Sequence, residues 1–295
     1  MPPTYGITIH YNLSSDNLAR QVNTPAESFP LRMLLFADDI LVLAETPCQL
    51  QSLLTALHHN ASRWGLSINA NKTHTMVLDG MHDPPATAPP PFITLNGSLL
   101  ANVLTTKYLG SWVSSDCTIT SAVNTNIHKA KGAFHHLHHI WRNKHLSPLS
   151  KVHIFNLTVM PILLYAVESW PATSAVNHRL ASTFHSFLRQ ALGKGPIRRG
   201  DHWRHQYTNA DLLTLANMLL VDVTLRKRRM QWLGHMLRMS DTSIVKRFLL
   251  GRIAASATNH RVTTLCKTLT SDLTIMCGPI NGIRWIDQAR RKTTW

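Results

Sequence analysis

The segment Phe36-Ala37-Asp38-Asp39 constrains the fold more tightly than any other part of the chain. Two adjacent carboxylates sit between the aliphatic runs Leu31-Arg32-Met33-Leu34-Leu35 and Ile40-Leu41-Val42-Leu43-Ala44. Runs this short and this aliphatic read as strands. Strand, acidic turn and strand make a hairpin that holds both carboxylates at its tip. Asp tolerates turn geometry and is at home in water, so an ordinary turn is one reading. A cation site is the other, because fixed carboxylates bind hard ions such as Mg²⁺, which keep several waters and recruit phosphate oxygens. Two such ions would suit nucleotidyl transfer, one activating the attacking oxygen and one steadying the leaving oxygen.

The charge of the chain narrows the partner. Its 295 residues allow two or three packed units of ~100–150 residues each. A formal charge of +15 points to a polyanion. Residues 1–112 carry five Lys and Arg (Arg20, Arg32, Arg63, Lys72, Lys107) against seven Asp and Glu, a net of −2. The remainder carries 25 against eight, a net of +17. A metal site joined to a nucleic-acid clamp has this division, and so does a basic protein without catalytic chemistry. Cys48, Cys117, Cys266 and Cys277 are widely spread with no C-x-x-C, which reads as free thiols in a reducing compartment. His260 with Cys266 and Cys277 is the best zinc-like grouping, and its spacing is a poor match to a zinc site. The start, Met1-Pro2-Pro3-Thr4-Tyr5-Gly6, lacks the pattern of a signal or transit peptide. The apolar stretch from Val152 to Val167 is interrupted by His153, Asn156 and Pro161. It falls short of the ~20 residues a membrane span needs, so it reads as buried core and no membrane partner is expected.

Periodicity places the remaining elements. Residues 5–11 read as a strand. Thr46 caps a helix with Pro47 at its first position, and Gly65 ends it. Leu50, Leu53, Leu54, Leu57, Ala61 and Trp64 form its apolar stripe, expected to pack on the sheet that carries the hairpin. A short strand follows near Thr75–Leu78, then a Pro-rich exposed connection over Asp83–Pro91. Ile93–Leu100 predicts a hairpin turning at Asn96-Gly97, and Lys107–Val113 a further strand. From Ser121 the pattern turns helical, with Val123, Ile127, Ala130, Phe134, Leu137 and Trp141 on one face. Ser150 is the expected cap of the next helix, which Pro161 should break. A helix over Ala175–Leu192 points Leu180, Phe184, Phe187 and Leu188 inward. Gly195–Gly200 reads as a basic linker, and a helical region from Asn209 ends in Arg226-Lys227-Arg228-Arg229. Residues beyond about Ala255 are poorly patterned.

The order of these pieces resembles the reverse transcriptases of non-LTR (LINE-type) retrotransposons. Phe36-Ala37-Asp38-Asp39 is similar to that family's [Y/F]-A-D-D box. Gly65-Leu66-x-Ile68-Asn69-x-x-Lys72-Thr73 resembles the next palm motif, and Lys107-Tyr108-Leu109-Gly110 the primer-grip hairpin. Leu163-Leu164-Tyr165-Ala166-Val167-Glu168-Ser169-Trp170 resembles the L-L-Y-x-x-E-x-W run of the thumb region. Arg229, Trp232-Leu233-Gly234-His235 and Arg238-Met239 resemble a basic element downstream of it. The resemblance covers about 31–239.

It implies an α+β chain: an antiparallel-sheet palm remnant with a packed helix (1–114), an all-helical thumb (115–195) and a basic, partly helical C-terminal region (196–295). It implies Asp38 as main metal ligand, Asp39 as a supporting one, two Mg²⁺ ions in the intact enzyme, and Lys72 as general acid or charge offset at the leaving group. Tyr108, Leu109 and Gly110 would support the primer end. Lys129, Lys131, Arg142, Lys144, Arg226, Lys227, Arg228 and Arg229 would contact phosphates of an RNA template paired with a DNA primer. The family's earlier palm Asp and its fingers have no counterpart in the sequence before Asp38, so an N-terminal polymerase half is an expected partner and the chain alone is expected to be inactive. The family also implies action in the nucleus. The alternative from another class is a non-catalytic remnant that grips RNA or RNA–DNA hybrid.

Overall fold

The computed structural model describes residues 5–11, 27–78, 92–199, 202–249, 251–253 and 264–277. The chain divides into two compact units, one from Met1–Ser121 with Met236–Cys266, the other from Ala122–His235 with Lys267–Trp295. The fold is mixed α and β, with small sheets that are antiparallel except for one strand pair.

In the first unit β1 (Ile7–Tyr11) and β2 (Glu27–Leu31) pair antiparallel, from Ile7 opposite Leu31 to Tyr11 opposite Glu27. Ile9 and Tyr11 share the buried face, as period-two alternation requires. The Tyr11 hydroxyl donates to Glu27; that hydrogen bond, then burial, raises its pKa above the ordinary phenol value. The acidic hairpin forms as expected from β3 (Met33–Phe36) and β4 (Asp39–Val42).

Helix α1 (Pro47–Arg63) begins as the sequence predicts: Thr46 Oγ1 accepts from the Gln49 N–H at 3.3 Å, and Pro47 opens the first turn. Six short strands follow: β5 (His74–Thr75), β6 (Thr94–Leu95), β7 (Ser98–Leu99), β8 (Ala101–Asn102), β9 (Thr105–Tyr108) and β10 (Ser111–Ser114). Leu54 of α1 packs with Ile93, Leu95 and Leu100 around the β6–β7 hairpin, with Leu50 and Ile68 at the margin. Gln51 stitches the two together, accepting from Thr94 N at 2.8 Å and donating to Thr94 O at 2.9 Å. The main partner of the stripe is thus this hairpin, although α1 also lies beside β4. Trp64, expected in the stripe, is 85% exposed, because the helix ends at Arg63 and Trp64 has left the helical path.

Two turns explain the strand pattern. Asn96 and Gly97 have φ +52° and +77°, as a two-residue β6–β7 turn with both centres left-handed requires. Lys107–Val113, read as one strand, is instead a hairpin. Leu109 and Gly110 turn at φ +46° and +83°, with Tyr108 opposite Ser111 across β9 and β10. β5 pairs in parallel with β8.

The second unit is helical. The repeat from 121 divides at Leu137 into α2 (Thr120–His136) and α3 (His138–Arg142). Phe134 stacks between Trp141 (4.9 Å) and Phe187 (4.7 Å), and the indole N–H donates to the Phe134 carbonyl at 2.8 Å. Helix α4 (Pro148–Thr158) is capped by Ser147, not Ser150: Ser147 Oγ accepts from the Ser150 N–H at 3.1 Å, and Pro148 takes the first helical position. Pro161 starts α5 (Met160–Leu163) and ends the run of α4, as expected. Helix α6 (Ser174–Ala191), capped by Thr173, buries Leu180, Phe184, Phe187 and Leu188. Where a linker was expected, β11 (Ile197–Arg199) pairs with β12 (His202–Arg204). Thr208 and Asp211 form a reciprocal capping box at the start of α7 (Asn209–Ala216). Helix α8 (Val221–Leu237) follows, and the basic run lies in its middle rather than at its end.

The chain then completes the first unit with α9 (Ile244–Leu249) and β13 (Gly251–Ile253). β13 adds to the free edge of β1, Ile9 opposite Ile253, giving the order β13-β1-β2. The Arg247 guanidinium lies 5.0 Å from the centre of the Tyr11 ring. The last described helix is α10 (Thr264–Cys277). Among the described residues the strands form one three-stranded sheet and five two-stranded pairs. No helix among them is long and apolar enough to cross a membrane; Val152, Phe155, Val159, Leu163 and Val167 are buried.

Phe155 is fully buried, so Phe155→Ala should lower unfolding free energy by ~3–5 kcal/mol in a denaturant titration, while exposed Trp64→Ala should stay within ~0.5 kcal/mol.

Candidate functional site

The acidic hairpin turns at Ala37 and Asp38, with Phe36 opposite Asp39. Ala37 has φ +52°, a left-handed conformation that costs an L-residue ~1–2 kcal/mol. Asp38 and Asp39 are exposed, and among the described residues neither carboxylate has a hydrogen-bond or ion-pair partner. Beside them Leu35, Phe36 and Ile40 are also exposed. Among the described residues no group of three or more His, Cys, Asp and Glu side chains is arranged to hold a metal.

Lys72 is the last residue of a single 3₁₀ turn, Ala70–Lys72, and is exposed. Asn69 fixes that turn, its side chain accepting from the Asn71 N–H at 3.0 Å. Tyr108, Leu109 and Gly110 occupy the tip of the β9–β10 hairpin. Leu109, like Ala37, is a non-glycine residue held at positive φ, while Gly110 adopts φ +83° without a Cβ to oppose it. Both hairpins that carry candidate residues therefore store strain at their tips, a feature that clusters at working sites. Asp38, Asp39, Lys72 and Tyr108–Gly110 all belong to the first unit.

The basic candidates belong to the second unit. Lys129 and Lys131 are exposed on α2, Arg142 is exposed at the end of α3 and Lys144 just beyond it. The four residues of the basic run do not form an exposed cluster. Arg229 is buried and donates to Asp272 on α10 at 2.6 Å; Arg226 donates to the same carboxylate at 3.1 Å. Arg228 donates to the Leu164 carbonyl at 3.0 Å and lies 3.6 Å from Glu168. Lys227 is the exposed one of the four. A charge run shows no partners in one dimension, and Asp272 stands 43 residues from Arg229.

The run Leu163–Trp170 is likewise structural. Ala166 turns left-handed at φ +59°, and buried Asn126 donates to the Tyr165 carbonyl at 2.9 Å to hold that turn. Trp170 is buried and Glu168 pairs with Arg228. His260 lies outside the described residues. Cys266 and Cys277 lie 11 residues apart on α10. Cys48 is an exposed free thiol, and the exposed Cys117 thiol donates to the Ser115 carbonyl at 3.8 Å.

One feature escaped the sequence reading: a cavity against α6 lined by His178, Ser182, His185 and Arg189 with His205 and Asn209. The spacing 178, 182, 185, 189 puts the first four on one helical face, and that polar stripe was the available signal.

Residues 8–113 match a family model described as reverse transcriptase (RNA-dependent DNA polymerase). Over 172 residues the chain is 29% identical to the RNA-directed DNA polymerase from mobile element jockey of Drosophila funebris, covering 55% of this chain and 18% of that one. Over 213 residues it is 25% identical to an uncharacterized transposon-derived protein of Caenorhabditis elegans, covering 72% and 73%. The chain thus spans under a fifth of the jockey polymerase it matches. No solved structure matches it.

Two measurements check this geometry. Asp272→Ala leaves two guanidiniums without their carboxylate, one of them buried, and should cost ~3–5 kcal/mol in denaturant unfolding, whereas Lys227→Ala should be neutral within ~0.5 kcal/mol. Replacing Ala37 by Val should destabilise by ~1–2 kcal/mol, because a β-branched residue suits positive φ still less, while Ala37→Gly should leave stability unchanged or slightly raised.

Proposed function

We propose that this chain, similar over residues 8–113 to the reverse transcriptase family, is a relative of the reverse transcriptases of non-LTR (LINE-type) retrotransposons and carries the A-D-D part of an RNA-directed DNA polymerase site and a surface that grips primer and template. The observation that carries this reading is the pair of exposed carboxylates, unpartnered among the described residues, at the strained tip of a hairpin inside the matched stretch 8–113.

Two adjacent carboxylates fit a hard cation as part of its ligand set. Mg²⁺ takes six oxygens and keeps several waters, so the rest of its shell falls to water, phosphate oxygens and carboxylates other than these two. Bound there, such ions lower the pKa of a primer 3′-hydroxyl and neutralise charge on the triphosphate. Asp38 is the main ligand and Asp39 supports it. Lys72 donates a proton to the leaving pyrophosphate or offsets its charge. Tyr108, Leu109 and Gly110 steady the primer end in the manner of a primer grip, and Gly110 lets a strand approach the backbone closely. The first unit is then the palm side of the polymerase and the helical unit its thumb. Exposed Lys129, Lys131, Arg142, Lys144 and Lys227 contact phosphates without reading sequence. Arg226, Arg228 and Arg229 act in the fold rather than on the duplex.

A second reading, binding of RNA or RNA–DNA hybrid without chemistry, is supported by the formal charge of +15. One experiment separates the two: primer extension on an RNA template with Mg²⁺, run beside duplex binding across a salt series. Under the polymerase reading Asp38→Asn abolishes extension and leaves binding intact or slightly tighter, since a charge that repels phosphate is gone. Binding without extension by the unaltered chain favours the second reading, and absence of binding defeats both. Removing one phosphate-binding cation, as in Lys129→Ala or Lys131→Ala, should reduce the salt slope of log K by ~0.9.

A further inference from the structure

The second unit holds a cavity of about 520 Å³ that no residue of the polymerase reading lines. His178, Ser182, His185 and Arg189 of α6 form one wall, and His205 and Asn209, at the entry to α7, face them. Among the described lining residues there is no carboxylate. His178, Ser182, Arg189, His205 and Asn209 each offer an N–H or O–H donor.

Their arrangement is fixed from behind. Arg189 donates to the Tyr207 carbonyl and to Asn209 Oδ1, both at 2.7 Å, which ties α6 to the start of α7. A guanidinium has five N–H donors, so Arg189 keeps donors and its full charge for the cavity. With Oδ1 engaged, Asn209 keeps its amide N–H groups for a ligand. Lys194 reinforces the same segment, donating to the Tyr207 hydroxyl at 3.1 Å and lying 4.4 Å from its ring centre.

His185 contributes its ring to the lining. Its Nε2 has almost no accessible surface and no hydrogen-bond partner, while the Ala181 carbonyl engages the ring, so the cavity does not reach that nitrogen. Burial, then the nearby Arg189 charge, lowers the pKa of this imidazole. An anion placed among the other lining groups would offset the Arg189 charge.

We propose that this cavity binds a phosphate group, carried by a free nucleotide or by a polynucleotide backbone. Converging donors around a stapled Arg, with no competing carboxylate among the described lining residues, are the features of an anion site. The volume lies in the range of small-ligand pockets and accommodates a phosphate with the nucleoside attached. The proposal is independent of the acidic hairpin: cavity variants that bind every probe as the unaltered chain does overturn it and leave the polymerase reading standing, whereas absence of binding by every probe, the duplex included, defeats both.

The test titrates the full chain calorimetrically with inorganic phosphate, a nucleoside monophosphate and an RNA–DNA duplex. Ser182 is exposed, so Ser182→Asp sets a carboxylate at the cavity without disturbing the core, and Ser182→Asn is the neutral control. Saturable binding that weakens at least tenfold in Ser182→Asp, and less than threefold in Ser182→Asn, supports the site. If the small probes show this weakening, the ligand is a free phosphate or nucleotide. If the duplex alone shows it, the ligand is backbone phosphate. The proposal is overturned if no probe binds, or if Ser182→Asp binds all three probes as the unaltered chain does.

Discussion

Asp272 on α10 accepts from Arg229 at 2.6 Å and from Arg226 at 3.1 Å, both on α8. Much of the second unit hangs on this contact. A buried guanidinium is tolerable only with a counter-charge and hydrogen bonds in good geometry, so α8 and α10 must meet where Asp272 stands. On its other side α8 sends Arg228 to Glu168 and to the Leu164 carbonyl. The same helix thereby grips α10 and the turn after α5, which Asn126 holds from α2. A basic helix is thereby tied into a packed unit.

This changes how the charge of the chain is used. A net of +17 beyond residue 112 still produces a field that draws polyanions. Among the basic candidates the side chains with water around them are Lys129, Lys131, Arg142, Lys144 and Lys227. Counting basic residues thus measures attraction well and contact poorly, because fold-bearing guanidiniums contribute to the first only.

Local chemistry made much of this legible in advance. The acidic hairpin, the Thr46–Pro47 helix start, the Asn96-Gly97 turn and the inward face of α6 each follow from a few neighbouring residues, and all are present. Features that depend on distant partners or on unusual backbone were harder to read. Periodicity ran Lys107–Val113 together as one strand because Leu seldom turns left-handed, although the family resemblance marked a hairpin at Lys107–Gly110. The Ser147 cap was passed over for Ser150, three residues along and bonded to it. Arg229 looked solvated until Asp272 stood opposite it. For the candidate site, the positions of Asp38 and Asp39 could be read, whereas the polar face of α6 became a cavity only once the segment before α7 folded across it.

The pairing of β1 with β13 joins residue 9 to residue 253. The stretch that matches the reverse transcriptase model ends at residue 113, short of the β13 strand that completes this sheet. A piece cut at 113 would keep both hairpins yet bare one edge of β1, a row of unpaired amides and carbonyls that templates association with other chains. During synthesis that edge waits for more than 240 residues to emerge before its partner strand exists. The first unit is therefore the earlier to begin and among the last to close.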